Sequence, residues 1–129
     1  MQKFEHSFEV HNSDIDEQGH VNNVAYVRWI QDVAVAHWRH TVSKAEQAKF
    51  TWVVLRHEID YKKQGFANDR ITAVTWVGKA TKITCERFTE IRRGGDLLVQ
   101  AKSVWCMLER STSKPARITN ELRDIFQMS

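Results

Sequence analysis

Residues 22–40, NNVAYVRWIQDVAVAHWRH, decide the fold, because they have the pattern of one long helix that is apolar around most of its circumference. Neither Gly nor Pro interrupts the stretch, and Asn22 or Asn23 can cap its first turn. At a helical period its apolar side chains cover an arc of roughly 200° and leave a narrow polar ridge from Arg28 to Arg39. We therefore predict a helix from residue 22 or 23 to about residue 40 that the rest of the chain mostly encloses.

Five segments around this helix have the alternation of strands. Residues 3–11 alternate before the helix, and four further runs follow it without a second long helix: residues 51–62, 69–78, 82–92 and 96–109. Gly94 and Gly95 are typical of a hairpin turn between the last two runs. One sheet can enclose one long helix only by curling around it. The sequence predicts a single α+β domain, residues 1–129, with a five-stranded, mostly antiparallel sheet wrapped around the helix.

Finer features of the strands are also predicted from the alternation. In the run 51–62, five side chains should share the core face opposite the charged residues 56, 58 and 60: Val53, Leu55, His57, Ile59 and Tyr61. The run 82–92 slips phase between Cys85 and Phe88, as a bulge or burial on both faces would produce. After a turn at Pro115, residues 118–126 should form one or two helical turns against the sheet edge. On the long helix, His37 and His40 are predicted to be core histidines.

Composition excludes several classes of function. The net charge is +3 with a pI near 9.0, but the basic residues form no stripe of the kind that nucleic acid requires. No signal peptide and no apolar window of about 20 residues is present, so we expect no membrane partner and a cytoplasmic location. Cys85 and Cys106 lack close Cys or His neighbours and are predicted to be reduced, buried thiols. Several runs are apolar on both faces, which favours self-association.

The loop HNSDIDEQGH, residues 11–20, places a carboxylate just before the start of the long helix. A carboxylate can activate water or attack a carbonyl carbon, and hydrolysis by either route also needs donors for the developing oxyanion. A helix N-terminus supplies free N–H groups and partial positive charge. Asp16 is therefore the candidate for this chemistry, and Gly19 permits close approach of a substrate. Asp14 is assigned the commoner role of an Asp before a helix, that of a turn former.

The stretch DIDEQGHVNNVAY, residues 14–26, resembles the signature of the 4-hydroxybenzoyl-CoA thioesterase-like branch of the hot-dog superfamily. Further similarity to its long-chain acyl-CoA thioesterases covers nearly the whole chain, at Ile59-Asp60-Tyr61, Asp69, Val104-Trp105 and Lys114-Pro115. The resemblance implies the hot-dog fold and hydrolysis of fatty or aromatic acyl-CoA to free acid and CoA. It also implies that Asp16 is the catalytic carboxylate and that the backbone N–H of Asn23 polarises the carbonyl.

Plant acyl-ACP thioesterases have a similar DxNxH element, which here corresponds to Asp16, Gln18 and His20, with Gln in place of Asn. The predicted catalytic set is Asp16, His20 and Asn23. The predicted substrate-binding residues are Gly19, Asn22 and Tyr26, of which Asn22 also caps the helix and Tyr26 belongs to the core. The resemblance further implies a homodimer or homotetramer with its site between subunits, and no metal or other cofactor.

Several alternatives stay open from sequence. Asp16 can act as general base or as nucleophile through a mixed anhydride, and the substrate can be acyl-CoA or acyl-ACP. A hot-dog enoyl hydratase separates its catalytic Asp and His by four residues, whereas three separate Asp16 from His20. A non-catalytic module that binds acyl-CoA or an acyl carrier is the remaining hypothesis. Arg92 and Arg93 are interpreted as a solvated hairpin turn.

Overall fold

The computed structural model describes residues 2–129, in which five strands, the long helix and the C-terminal helix follow the predicted order and a further short helix lies in the predicted connector. Residue 1, which the predicted domain includes, lies outside the described residues. The strands are β1 (Phe4–Glu9), β2 (Phe50–Tyr61), β3 (Arg70–Ala80), β4 (Thr84–Arg93) and β5 (Asp96–Glu109). The helices are α1 (Asn23–Thr41), α2 (Lys44–Lys49) and α3 (Asn120–Ile125).

The five strands form one sheet in the order β1-β3-β4-β5-β2, and every neighbouring pair is antiparallel. The first two strands along the chain are thus the two edges. Apolar residues of α1, among them Ile30 and Val33, pack against inward-facing residues of β3, β4 and β5 such as Ile71, Ile91 and Val99. This arrangement confirms the predicted α+β architecture with a sheet around one long helix.

Helix α1 begins where the sequence predicts. Asn22 is the N-cap, and its side-chain oxygen accepts a hydrogen bond from the N–H of Val24 at 2.9 Å. His37 is 1% exposed, as predicted for a core histidine. The same prediction is wrong for His40, which is exposed because its ring lies over Phe4 of the edge strand β1, where no further strand covers it. The polar connector after α1 contains the short helix α2, which Ser43 caps through the N–H of Glu46.

The core face predicted for β2 is wrong in its first half. Leu55 is an extra residue between the pairs Val54 with Trp105 and Arg56 with Val104. Because side chains alternate, this bulge reverses which residues face the core, so Val53 and Leu55 are 40% and 61% exposed. After the bulge, His57 and Ile59 are half-buried, in agreement with the prediction, while Tyr61 is 46% exposed.

Strand β4 has no bulge between Cys85 and Phe88. Its buried residues alternate without interruption: Cys85, Arg87, Thr89 and Ile91. The apparent slip arises because an inward position carries a charged residue, Arg87. The extra residue of this sheet region lies on β3 instead, where the register shifts between Val77 and Ala80.

The C-terminal segment packs as predicted. Thr119 caps α3, and Ile118, Leu122 and Phe126 are buried beside Trp38 in a second apolar cluster. Cys85 and Cys106 are both buried and free, and burial raises the pKa of the Cys85 thiol to about 11. None of the helices described for residues 2–129 has the length and apolar character to cross a membrane.

Candidate functional site

A cleft of about 540 Å³ lies beside the N-terminus of α1. Two segments form it, the loop that leads into α1 and the chain that follows β2. The residues that line it are Asp16, Gln18, His20, Val21, Asn22, Asn23, Tyr26, Tyr61, Lys62, Lys63 and Gln64. The structure therefore brings together five of the six predicted site residues. The sixth, Gly19, does not line the cleft; its φ of +82° allows the tight turn of the loop instead.

The loop holds the carboxylate of Asp16 in a fixed position. Its Oδ1 accepts hydrogen bonds from the N–H groups of Gln18 at 2.9 Å and His20 at 3.2 Å. The Asp16 N–H donates to the His20 carbonyl at 2.8 Å, and the Gly19 N–H donates to the Asp16 carbonyl at 3.1 Å. Within residues 2–129, no donor contacts Oδ2. One oxygen of a half-buried carboxylate is thus immobilised and the other is available to a ligand.

Asp14, two residues earlier, anchors this loop to α1. Its carboxylate is 3% exposed, forms an ion pair with Arg28, and accepts a hydrogen bond from the His11 N–H at 3.2 Å. Its carbonyl accepts from the Asn22 N–H at 2.8 Å. These contacts join both ends of the loop to the start of the helix. Asp14 therefore has the structural role that the sequence predicts.

The start of α1 presents a free donor to the cleft. The Asn22 side-chain oxygen accepts a hydrogen bond from the N–H of Val24, and the Asn22 carbonyl accepts one from the N–H of Ala25 at 2.9 Å. Asn23 is exposed, and its N–H has no acceptor in the part of the chain that the structure describes. Free N–H groups and the helix dipole favour negative charge at this position.

Tyr26 closes the inner end of the cleft. It is 3% exposed, and its hydroxyl accepts a hydrogen bond from the Gly65 N–H at 2.9 Å. Burial raises the pKa of Tyr26 above its ordinary value. A Cβ on residue 65 would lie 3.0 Å from that hydroxyl and 3.0 Å from Val21, so glycine allows the two segments to approach. The prediction of a core tyrosine is confirmed, and its hydroxyl binds this backbone group.

Two cations on the opposite wall were not predicted as site residues. Lys62 and Lys63 follow β2 directly, and the Lys63 ammonium contacts Asp96 at 2.9 Å. The side chain of Lys62 forms no ion pair with any described residue. The only sequence signal was their position after the Ile59-Asp60-Tyr61 element. Their distance in sequence from residues 16–23 hid the fact that they share one cleft.

His20 and the hairpin arginines complete the surroundings. The His20 ring is half-buried and packs edge-on against Phe66, with 5.7 Å between ring centres. Arg93 is half-buried rather than fully solvated, because it donates to Asp69 at 2.9 Å and to Asp96 at 3.2 Å. No three His, Cys, Asp or Glu side chains of residues 2–129 come together as ligands of a metal ion would.

Comparisons with known proteins agree with this architecture. Residues 1–126 match the family model of the acyl-ACP thioesterase N-terminal domain. The chloroplastic acyl-(acyl-carrier-protein) hydrolase FATB3 of Cuphea viscosissima is 31% identical over 74 residues, which are 56% of this chain and 18% of that protein. This chain thus matches less than one fifth of the length of its curated relative.

Solved structures share the fold at low sequence identity. The DHNA-CoA thioesterase of Staphylococcus aureus has a TM-score of 0.85 and 19% identity, over 98% of this chain and 90% of that one. The 12:0-ACP thioesterase of Umbellularia californica has a TM-score of 0.79 and 15% identity, over 97% of this chain and 49% of that one. The chain has the predicted hot-dog fold and belongs to the acyl-ACP thioesterase N-terminal domain family.

Proposed function

We propose that this chain hydrolyses acyl thioesters in the cleft beside the N-terminus of α1. One observation carries the proposal: the unbonded Oδ2 of Asp16 and the free N–H of Asn23 belong to residues that line the same cleft. A carboxylate and a preorganised donor are the two groups that thioester hydrolysis requires. Membership of a thioesterase family supports the same reaction.

In the proposed mechanism, the thioester carbonyl oxygen accepts a hydrogen bond from the Asn23 N–H. Asp16 then has two possible roles. As general base, its Oδ2 takes a proton from water, whose oxygen attacks the carbonyl carbon and expels the thiolate. As nucleophile, Oδ2 attacks the carbon itself, and water hydrolyses the resulting anhydride. Both routes consume one water and yield a free acid and a thiol.

His20 and Gln18 have supporting roles in this proposal. The half-buried His20 ring lines the cleft and is the ionisable side chain that we assign to protonate or orient the leaving thiolate. The exposed amide of Gln18 lines the same wall and can contact the pantetheine arm. Asn22 fixes the helix start by capping it, so it holds the Asn23 N–H in place.

For the substrate we propose a fatty or aromatic acyl-CoA, with acyl-ACP as the alternative. CoA and the carrier protein both present the acyl group on a phosphopantetheine arm, and Lys62 and Lys63 offer positive charge to its phosphate. The similar structures include a thioesterase of each kind. Comparing kcat/KM for one acyl group on CoA, on ACP and on unphosphorylated pantetheine separates the two. If kcat/KM is the same for acyl-CoA and for the unphosphorylated acyl-pantetheine, Lys62 and Lys63 do not bind the phosphate.

The reaction itself is tested by thiol release from acyl-CoAs of increasing chain length. Asp16→Asn keeps a side-chain oxygen for the loop hydrogen bonds but removes the basic carboxylate, so turnover should fall by about 10²–10⁴-fold. Glu17→Gln is the matched control, because Glu17 is exposed and does not line the cleft. No thiol release from any substrate, or release unaffected by Asp16→Asn, would instead favour the non-catalytic binding module.

The two roles of Asp16 differ in where solvent oxygen enters. In a single turnover in H₂¹⁸O, the nucleophilic route places one label in the Asp16 carboxylate, because water attacks the anhydride at that carbon in part of the events. The general-base route places label only in the released acid. Label found in the Asp16 peptide by mass analysis after the turnover would exclude the general-base route.

We further propose a homodimer or homotetramer with this site near the subunit contact. Val24, next to Asn23, is 71% exposed, and Phe66, which packs on His20, is 44% exposed. Large apolar side chains around a polar cleft favour contact with a second subunit. Sedimentation of the native protein and of Val24→Lys tests this proposal. A native monomer with full activity would contradict it.

A further inference from the structure

A buried arginine without an acidic partner lies beside the C-terminal half of α1. Arg87 on β4 is 7% exposed, and its Nη1 donates to Nδ1 of His37 at 2.9 Å and to Oγ1 of Thr75 at 3.1 Å. Burial lowers the pKa of Arg87 to about 10, so the guanidinium is still charged at pH 7. Burial and the nearby Arg87 lower the pKa of His37 to about 3, so His37 is neutral and supplies no negative charge.

The nearest acidic residues in sequence are bound elsewhere. Glu86 pairs with Lys102 at 2.7 Å, and Glu90 pairs with Arg92 at 3.3 Å. Both acids alternate with Arg87 along β4 and so lie on the opposite face of the sheet. No carboxylate of the described residues 2–129 forms an ion pair with Arg87.

A cavity of about 170 Å³ adjoins this arginine. Four aromatic side chains line it, Trp38, Trp52, Trp105 and Phe126, together with smaller apolar residues and with polar ones that include Arg39 and Arg110. Among the described residues, the Nε1–H of Trp105 is the one fully enclosed side-chain polar group without a hydrogen-bond partner. The Nε and Nη2 groups of Arg87 also donate to no protein acceptor in residues 2–129, but they are not fully enclosed. Three arginines, of which Arg87 is the buried one, thus line a cavity that also has apolar and aromatic walls.

These groups are costly unless something accepts from them. A buried charge without a partner is destabilising, because burial removes the water that would otherwise solvate it. A carboxylate would supply both the negative charge and the acceptor oxygens. A volume of about 170 Å³ is enough for a benzene-sized molecule.

We propose that this cavity is a second ligand site for a small monocarboxylate with an apolar chain or ring. The carboxylate accepts hydrogen bonds from Arg87, and the apolar part packs against the aromatic side chains of the cavity. The cavity shares no lining residue with the catalytic cleft. Asn23 and Trp38 are fifteen residues apart on α1, which corresponds to roughly 22 Å along the helix axis.

The proposal is tested by titrating the protein with hexanoate and with hexanamide, which has the same shape but no charge. Tryptophan fluorescence and calorimetry both report on the site, because three of its walls are tryptophans. Hexanoate should bind with a stoichiometry of one per chain, and hexanamide at least about tenfold more weakly. Equal binding of the two, or no binding of hexanoate, would overturn the proposal.

Variants locate the binding. Arg87→Met replaces a buried unpaired charge by an apolar chain of similar length, and should reduce the preference for hexanoate over hexanamide, with Arg39 and Arg110 left as the other cations of the lining. Ala34→Leu fills part of the cavity and should weaken hexanoate while Arg87 is intact. Asp16→Asn should leave hexanoate binding unchanged, whatever it does to hydrolysis. If Asp16→Asn loses hexanoate binding, or if Arg87→Met keeps the native affinity, hexanoate binds at another site and the proposal is overturned.

Discussion

Polar groups at the two ends of α1 differ in their access to water. At the N-terminus, Asp16 and Asn23 line an open cleft, and each has one group without a hydrogen-bond partner in residues 2–129, the Oδ2 of Asp16 and the N–H of Asn23. Near the C-terminus, His37 and Arg87 are almost fully buried, and aromatic side chains surround them. Water can reach the first pair of groups but is largely withheld from the second.

This difference determines what each end can do. Groups in an open cleft keep solvent as a partner until a substrate replaces it, so they cost little and remain reactive. Buried groups lose that solvent, which shifts their pKa values and makes each missing partner expensive. One helix thus supports chemistry at its solvated end and a fixed electrostatic environment at its enclosed end. The following changes test this contrast, beginning with the largest expected effect.

Asn23→Pro should remove the free N–H at the solvated end of α1 without unfolding the helix. Proline removes only the N–H of the first helical residue, a position that it tolerates well. The N-cap Asn22 already has φ −66° and ψ 139°, which suits a residue before proline. We expect thiol release to fall by about 10²–10³-fold with an unchanged melting temperature. Asn23→Ala retains the N–H and should keep its activity; an equal loss in both variants would contradict an oxyanion role.

Lowering the pH should reduce the free energy of unfolding through His37 at the enclosed end of α1. The pKa of His37 is about 3 in the folded chain against an ordinary 6.5, because burial disfavours the charged ring. Between these values the unfolded chain binds a proton that the folded chain does not, so the free energy of unfolding falls as pH drops below 6.5. The loss is up to about 1.4 kcal/mol per pH unit, or about 2–3 kcal/mol from pH 6.5 to 4.5.

Urea unfolding across this pH range measures the effect. His37→Gln should reduce the pH slope by about one proton, since the amide oxygen can still accept from Arg87 but does not titrate. His6→Gln is the control, because His6 is exposed on β1. A native slope in His37→Gln would show that another group is responsible.

Tyr26→Phe tests how the cleft is joined to the core. The change leaves the buried N–H of Gly65 without its acceptor, so we expect a loss of about 1–2 kcal/mol in the free energy of unfolding. Tyr61→Phe, at a residue that is 46% exposed, should change stability by no more than about 0.5 kcal/mol. Equal effects would mean that the hydrogen bond to Gly65 does not stabilise the cleft.

Much of the fold follows from local patterns. The Gly-free apolar stretch and its Asn cap predicted α1 almost to the residue, and the alternation and the Gly-Gly turn predicted the strands. The loop that carries Asp16 was also found from sequence, because its turn residues lie next to one another. Such features are readable because hydrogen bonds between near neighbours produce them.

Other features depend on which distant strands meet. Leu55 is exposed only because β2 bulges against β5, and Arg87 is buried only because its strand position faces the core. Lys62 shares a cleft with Asp16, and Trp105 shares a cavity with Arg87, across separations that no local pattern encodes. By itself the sequence determined the helix, the strands and the candidate carboxylate, since short-range bonding and side-chain period specify them. Only the tertiary structure decided the strand register, the opposite wall of the cleft and the charged cavity, because these arise from long-range packing.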